Sequence, residues 1–240
     1  MVPLRISVIG IDGSGKSTTT LKAIYALSHR FLACKTGRGS FFIWRGNIVP
    51  CLPGTGNFFE GLFKRVDATK KGQWIGLTRL LFVFFQGWLE PYMIKRYHPE
   101  LVIGTRCMII DSSIYSDFYY PWISRRMTIE SKLRFAKLYC RLPFRDLYFF
   151  LNTPIGAAIE RIYKRILDEH PKITYGRDYW LHLHEHEGSL RFLDQKFRET
   201  LQIAQVQVPF KLVEIDTAKQ SEDDVSKLIF EYSMKFCKGR

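Results

Sequence analysis

Residues Ile6 to Thr20 read ISVIGIDGSGKSTTT, and Gly10, Gly15, Lys16 and Ser17 occupy the fixed places of the pattern G-x-x-x-x-G-K-[ST]. The chemistry that this spacing supports is the capture of phosphate. Gly10, Gly13 and Gly15 carry no Cβ, so the backbone can curl tightly and aim its N–H groups inward. Those groups and the positive end of the following helix form a cradle for a nucleotide's phosphates, which spans Gly10, Asp12, Gly13, Ser14, Gly15, Lys16, Ser17 and Thr18. Lys16 adds a mobile charge between the β- and γ-phosphates, and the Ser17 hydroxyl is a ligand for Mg²⁺, so ATP and Mg²⁺ are the expected cofactors. A carboxylate among phosphates is costly, so Asp12 is expected to point away from them, its other reading being an Asp that stabilises the turn.

Such a loop needs a strand before it and a helix after it. Ile6, Val8 and Ile9 are β-branched and read as a buried strand, and Leu21, Ile24, Tyr25 and Leu27 form a helical stripe over about 17–29. Further strands are predicted at 31–36, 107–111, 146–151 and 210–215. Helices are predicted at about 59–69, 74–97, 114–123, 128–140, 153–167, 187–205 and 221–236. The Gly- and Pro-rich residues 37–57 read as a long irregular segment. Alternating strands and helices predict an α/β fold with a five-stranded parallel sheet covered on both faces. No internal repeat or linker interrupts the chain, so residues 1–240 are expected to form one domain.

Lys and Arg exceed Asp and Glu by 36 to 23, a net charge of +13, which favours anionic partners. No recognised nucleic-acid-binding module accompanies that charge. Five scattered cysteines without a C-x-x-C pair argue for a reducing compartment, the cytoplasm, and against a disulfide frame or zinc site. The apolar segment WIGLTRLLFVFFQGWLEPYMI contains Arg79, Glu90 and Pro91, whereas a membrane span needs about 20 largely uncharged residues. It reads as a buried helix, and its aromatics with Lys95-Arg96 leave a peripheral membrane contact open.

The order of GIDGSGKST, an Asp at the end of the third strand, ERIYKR after the fourth, FLDQKFRETL and VEIDTAKQSEDDV resembles the thymidylate kinases over nearly the whole chain. The resemblance implies a P-loop NTPase fold with a lid, over about 166–186, and an acceptor-binding segment, over about 37–100. It implies phosphoryl transfer from ATP to thymidylate or a related nucleoside monophosphate, often in a homodimer. The alternatives are a kinase for a nucleoside, sugar or other hydroxyl acceptor, and a low-turnover ATP-binding protein. Under the resemblance Asp111 holds Mg²⁺ through water, its other reading being a helix cap. Arg161 and Arg165, on ERIYKR, are the catalytic lid arginines with Lys16, and Arg177 is a further lid candidate. Asp12 contacts the acceptor sugar, and Asp216 to Gln220 lie at the adenine side.

The acceptor side departs from the family. Asp111-Ser112-Ser113 stands where the family reads Asp-Arg-Tyr or Asp-Arg-His, and a Ser cannot make the charge-assisted bonds of the missing Arg. The family's helix motif, like LLFAADR, appears as Leu80 to Gln86, which keeps the stacking ring as Phe82 and puts Gln86 in place of an Arg. The Arg-Glu-Pro-Gly-Gly after the second strand is absent, and Arg38, Arg45 and Arg79 are the candidates to replace its charge. His182, His184 and His186 have weak spacing for a metal, since on a helix only the outer two share a face.

Overall fold

The computed structural model describes residues 2–36, 40–50, 55–69, 71–169 and 184–238. Its centre is a sheet of β1 (Leu4–Ile9), β2 (Ala33–Thr36), β3 (Phe41–Trp44), β4 (Asn47–Pro50), β5 (Leu101–Gly104), β6 (Leu147–Asn152) and β7 (Lys211–Asp216), in the order β4-β3-β2-β5-β1-β6-β7. The expected five parallel strands are present as β2, β5, β1, β6 and β7. The sheet has seven strands because β3 and β4 add an antiparallel hairpin beyond β2. Residues read as irregular make this hairpin. Its two-residue turn places Arg45 at φ 48° and Gly46 at φ 81°, as a hairpin with right-handed twist requires.

The helices are α1 (Lys16–Ser28), α2 (Thr55–Ala68), α3 (Gly72–Tyr97), α4 (Met108–Tyr119), α5 (Pro121–Ser124), α6 (Ile129–Leu138), α7 (Ile155–Glu169), α8 (Glu187–Gln207) and α9 (Glu222–Lys238). Strand alternation sorts them into two layers. On β6, Leu147, Phe149 and Leu151 pack with α1 and α9, while Tyr148 and Phe150 pack with α4, α6, α7 and α8. Val102 of β5 meets Leu89 and Met93 of α3 on the latter side.

The third strand differs from the expectation. It is LVIG at 101–104, and CMII opens α4 instead. Two short apolar runs lie side by side here, and periodicity alone does not tell a buried strand from a buried helical turn. Ile110 and Ile114, four apart, join Ile109 in the α4 core contact, which only a helix provides. Asp111 therefore sits in the first turn of α4, not at a strand end. It is not that helix's cap either, since Cys107 holds that position.

α3 is tied to the start of β6 by a buried bidentate pair. Arg145 donates from Nη1 to Glu90 Oε1 at 2.5 Å and from Nη2 to Oε2 at 2.8 Å. No helix among the described residues is long and apolar enough to cross a membrane.

Candidate active site

β1 lies between β5 and β6, so the loop leaving its carboxyl end opens into the crevice where strand order reverses, the ligand-binding position of open α/β sheets. Gly13 adopts φ 80°, and a Cβ there would collide with the Ala158 carbonyl of α7. Gly15 adopts φ 86° and caps α1 without a side-chain bond, so the first amides of α1 face the loop. Lys16 is buried inside it and donates to the Ile11 carbonyl at 2.6 Å. Burial lowers its pKa, against the opposing pull of Asp12. Ser17 and Thr18 are exposed, and Ser17 lines the adjoining pocket. Ser14 Oγ is buried with no hydrogen-bond partner among the described residues.

Asp12 gathers groups from four directions. Its Oδ1 is 3.3 Å from Arg106 and 3.7 Å from Lys16, and its Oδ2 accepts from the Tyr115 hydroxyl at 2.8 Å and lies 3.3 Å from His184 Nε2. Burial alone would raise its pKa. The charges of Lys16, Arg106 and His184 and the Tyr115 bond outweigh burial and hold the carboxyl well below the usual range. Burial and the same carboxylate keep the Tyr115 phenol protonated, as a donor must be.

Arg106 follows β5 directly, after Thr105. Arg106 stands two residues beyond the end of β5, in the turn after 101–104 and not in the one after 107–111, where an Arg was expected and Ser112 stands. Sequence reasoning missed Arg106 for that reason alone, and the signal was an Arg just past an apolar run. Tyr115 and His184 carried no such signal, since they lie 103 and 172 positions from Asp12 in sequence and meet it only in the fold.

A pocket of about 260 Å³ opens beside the loop. Its wall carries Lys35, Arg79, Arg106 and Asp111, with Phe63, Phe82 and Tyr119 as rings. Arg79 and Phe82, expected on the acceptor side, both line this pocket. Arg79 donates to Asp67 at 2.7 Å and lies 3.8 Å over the Phe63 ring, while its Nε and Nη1 are buried with no hydrogen-bond partner among the described residues. Gln86, one turn beyond Phe82, is buried in α3 and is not in the pocket wall. Arg45 is not there either. It sits at the hairpin turn against Ser28, at the far end of α1 from the phosphate loop. Arg38 and Arg177 lie outside the described residues.

Asp111 is buried at the pocket wall, and its Oδ2 has no hydrogen-bond partner among the described residues. Burial raises its pKa to about 6, although Arg106 and Lys16 pull it down. An unsatisfied carboxylate oxygen in the same pocket wall as Ser17 suits a divalent cation, so the donor set fits Mg²⁺.

From α7, Arg161 reaches the loop, donating to the Gly13 carbonyl at 3.4 Å and to the Thr217 carbonyl at 3.2 Å. The segment 216–220 after β7 is thereby brought beside the phosphate loop. Arg165, one turn on, pairs with the buried Glu185 at 2.8 Å. The expected lid, 166–186, falls largely on residues 170–183, outside those described. Of the three histidines, His182 lies outside them too, His184 packs against Asp12, and His186 caps α8. No cluster of three metal-ligating side chains occurs among the described residues.

No protein-family model matches the chain, and none of the curated proteins matches it. Solved structures do. Deoxyadenosine kinase from M. mycoides with the products dCMP and a flexible dCDP bound matches with a TM-score of 0.58 at 14% identity, over 97% of this chain and 100% of that one. The same enzyme with bound dATP matches with a TM-score of 0.53 at 14% identity, over 96% and 99%, and with bound dCTP with 0.51 at 15%, over 99% and 100%. At such identity the likeness speaks to architecture. The chain has the α/β fold of the P-loop kinases.

Proposed function

We propose that the protein is an ATP- and Mg²⁺-dependent phosphotransferase of one domain, acting in the cytoplasm on a small acceptor, with thymidylate or a related nucleoside monophosphate as the leading candidate. The observation that carries this reading is the opening of the phosphate loop onto a pocket that combines cations with rings. Arg79, Arg106 and Lys35 offer charge to an acceptor phosphate, and Phe82 and Phe63 offer faces to a base.

Phosphoryl transfer is mainly positioning and charge neutralisation. In this reading the loop amides and Lys16 hold the triphosphate, and Arg161 and Arg165 meet the charge that builds on the transferred group. Ser17 and Asp111 would hold Mg²⁺, which supplies further neutralisation of the phosphate oxygens when bound. Asp12 keeps Lys16 and Arg106 in register with each other. A phosphate acceptor is already ionised, so no strong general base is needed.

A second reading, a nucleoside or other hydroxyl as acceptor, draws support from Asp111, whose carboxyl is raised to about 6 and faces the pocket. A group so tuned is suited to accept a hydroxyl proton near neutral pH. The fold likeness to a deoxyadenosine kinase points the same way. Asp12 is a poor base, because its cations stabilise the ionised form. A low-turnover nucleotide binder, favoured by the absent Arg after Asp111, is supported less where Arg106 lines the same pocket.

The test is acceptor-stimulated ADP release across monophosphates, nucleosides and sugars. Preference for thymidylate or another monophosphate supports the first reading, and preference for an uncharged acceptor supports the second. Absence of stimulation by any acceptor refutes both.

A further inference from the structure

We propose that the cleft between α4, α6 and α8 is a second ligand site, built for a small organic anion with an apolar body. The cleft is a cavity of about 680 Å³, within the range of pockets that hold small molecules. α4 separates it from the acceptor pocket. Ile114, Asp117 and Phe118 line the cleft, and Tyr115, Ser116 and Tyr119 line the acceptor pocket, so the two sets lie on opposite sides of the helix. No described residue lines both. The apolar part of the wall includes Ile114, Phe118, Phe192 and Ile203, with the Phe118 and Phe192 rings edge-on at 5.7 Å. Phe118 also meets the ring of His184 at 6.5 Å, so the cleft adjoins the Asp12 cluster without being part of it.

Hydrogen-bonding capacity sets the sign of the ligand. Each acid of the wall is already engaged. Asp117 Oδ1 accepts from Lys132 Nζ at 2.6 Å and from Ser124 Oγ at 2.5 Å. Glu199 accepts from Lys196 at 2.6 Å, and Glu130 accepts from its own backbone amide and from Thr128. Donors are left over. An ammonium carries three protons, and Asp117 takes one from the buried Lys132. Arg125 is exposed in the wall, and its guanidinium pairs with no carboxylate among the described residues. A carboxylate or a phosphate ester would use these donors in charge-assisted bonds, while its aromatic or aliphatic remainder covers Phe118, Phe192 and Ile203. A cationic ligand would face Arg125 and Lys132 with no acid left to hold it.

The test is titration of the full chain with anilinonaphthalene sulfonate, an aromatic anion that fluoresces on leaving water. Saturable binding is expected, and saturating ATP, Mg²⁺ and thymidylate should leave it in place because the acceptor pocket is separate. Gly188→Trp should abolish it. Gly188 lines the cleft from the first turn of α8, and a Cβ there meets nothing within 4 Å, so the added ring fills the cleft with circular dichroism unchanged. Arg125→Gln should weaken binding about five-fold, the upper worth of one exposed charge pair. Phenyl phosphate and phenylacetate serve as competitors. Displacement by one alone names the phosphate ester or the carboxylate as the class of ligand, and displacement by both supports the anion they share. Lack of saturable binding overturns the proposal, as does displacement by ATP or thymidylate, or binding unchanged in Gly188→Trp or in Arg125→Gln. Displacement by neither competitor, or by neutral benzyl alcohol as readily as by the anions, overturns it too. Fluorescence reads binding alone, so the outcome is independent of the phosphoryl transfer proposed above.

Discussion

The carboxylate of Asp12 and the guanidinium of Arg106, 94 positions apart in sequence, meet at 3.3 Å where the glycine loop opens onto the pocket lined by Arg79 and Phe82. Lys16 lies 3.7 Å from the same carboxylate oxygen. In the proposed function, one anion would thereby position the cation of the triphosphate site and a cation of the acceptor site. Arg106→Ala should lower turnover by about 10²–10³, the usual loss when a charged stabiliser is removed. The fold should persist, because Lys16, Tyr115 and His184 still face Asp12. Steady-state kinetics with circular dichroism checks this, and turnover within a few-fold of the parent contradicts it.

Lys16→Ala should abolish phosphoryl transfer and leave the fold intact. The ammonium's bonds are to the Ile11 carbonyl and Asp12, both inside the loop, so its loss disturbs no distant packing. Unchanged turnover in a folded variant would remove Lys16 from its assigned role.

Arg165→Ala should lower kcat more than the affinity for ATP. Arg165 is held to Glu185, one helical turn beyond Arg161, rather than to the loop. In its proposed role it meets charge that develops during reaction, and its removal should cost about tenfold or more in kcat. A rise in the KM for ATP with kcat unchanged would make it a binding residue.

Asp111→Asn should stabilise the protein at neutral pH while impairing turnover. Burial raises this carboxyl to about 6, above its ordinary value, so the folded state binds its proton more tightly than the unfolded state does. Stability then falls as pH rises from about 4 to about 6, and by pH 7 the cost is about 3 kcal/mol. Asn removes that cost, so the gain in denaturant midpoint should be present at pH 7 and vanish below about pH 4. A variant that is less stable than the parent at pH 7 would contradict the assignment.

What the sequence made legible divides along physical lines. The phosphate loop was readable because the backbone path requires glycine where φ is positive, and because Lys16 and Ser17 stand at fixed distances from those glycines. The parallel core followed from alternating strand and helix patterns. The third strand was misplaced because LVIG and CMII are equally apolar, and tertiary packing decided between them. That one shift hid Arg106 and put Asp111 on the wrong element. The β3–β4 hairpin was missed although FFIW, Arg45-Gly46 and NIVP spell a two-residue turn, because neighbouring Gly and Pro drew the segment toward loop. The contacts of Asp12 with Tyr115 and His184 were beyond local pattern, since they exist only once α4 and the start of α8 converge on the loop.

The most direct measurement follows the phosphoryl group itself. Incubation with ATP labelled at the γ-phosphate, Mg²⁺ and thymidylate should move the label onto the β-position of thymidine diphosphate with the parent protein and not with Lys16→Ala. Label recovered only in inorganic phosphate or unreacted ATP, whichever acceptor is offered, would contradict the account.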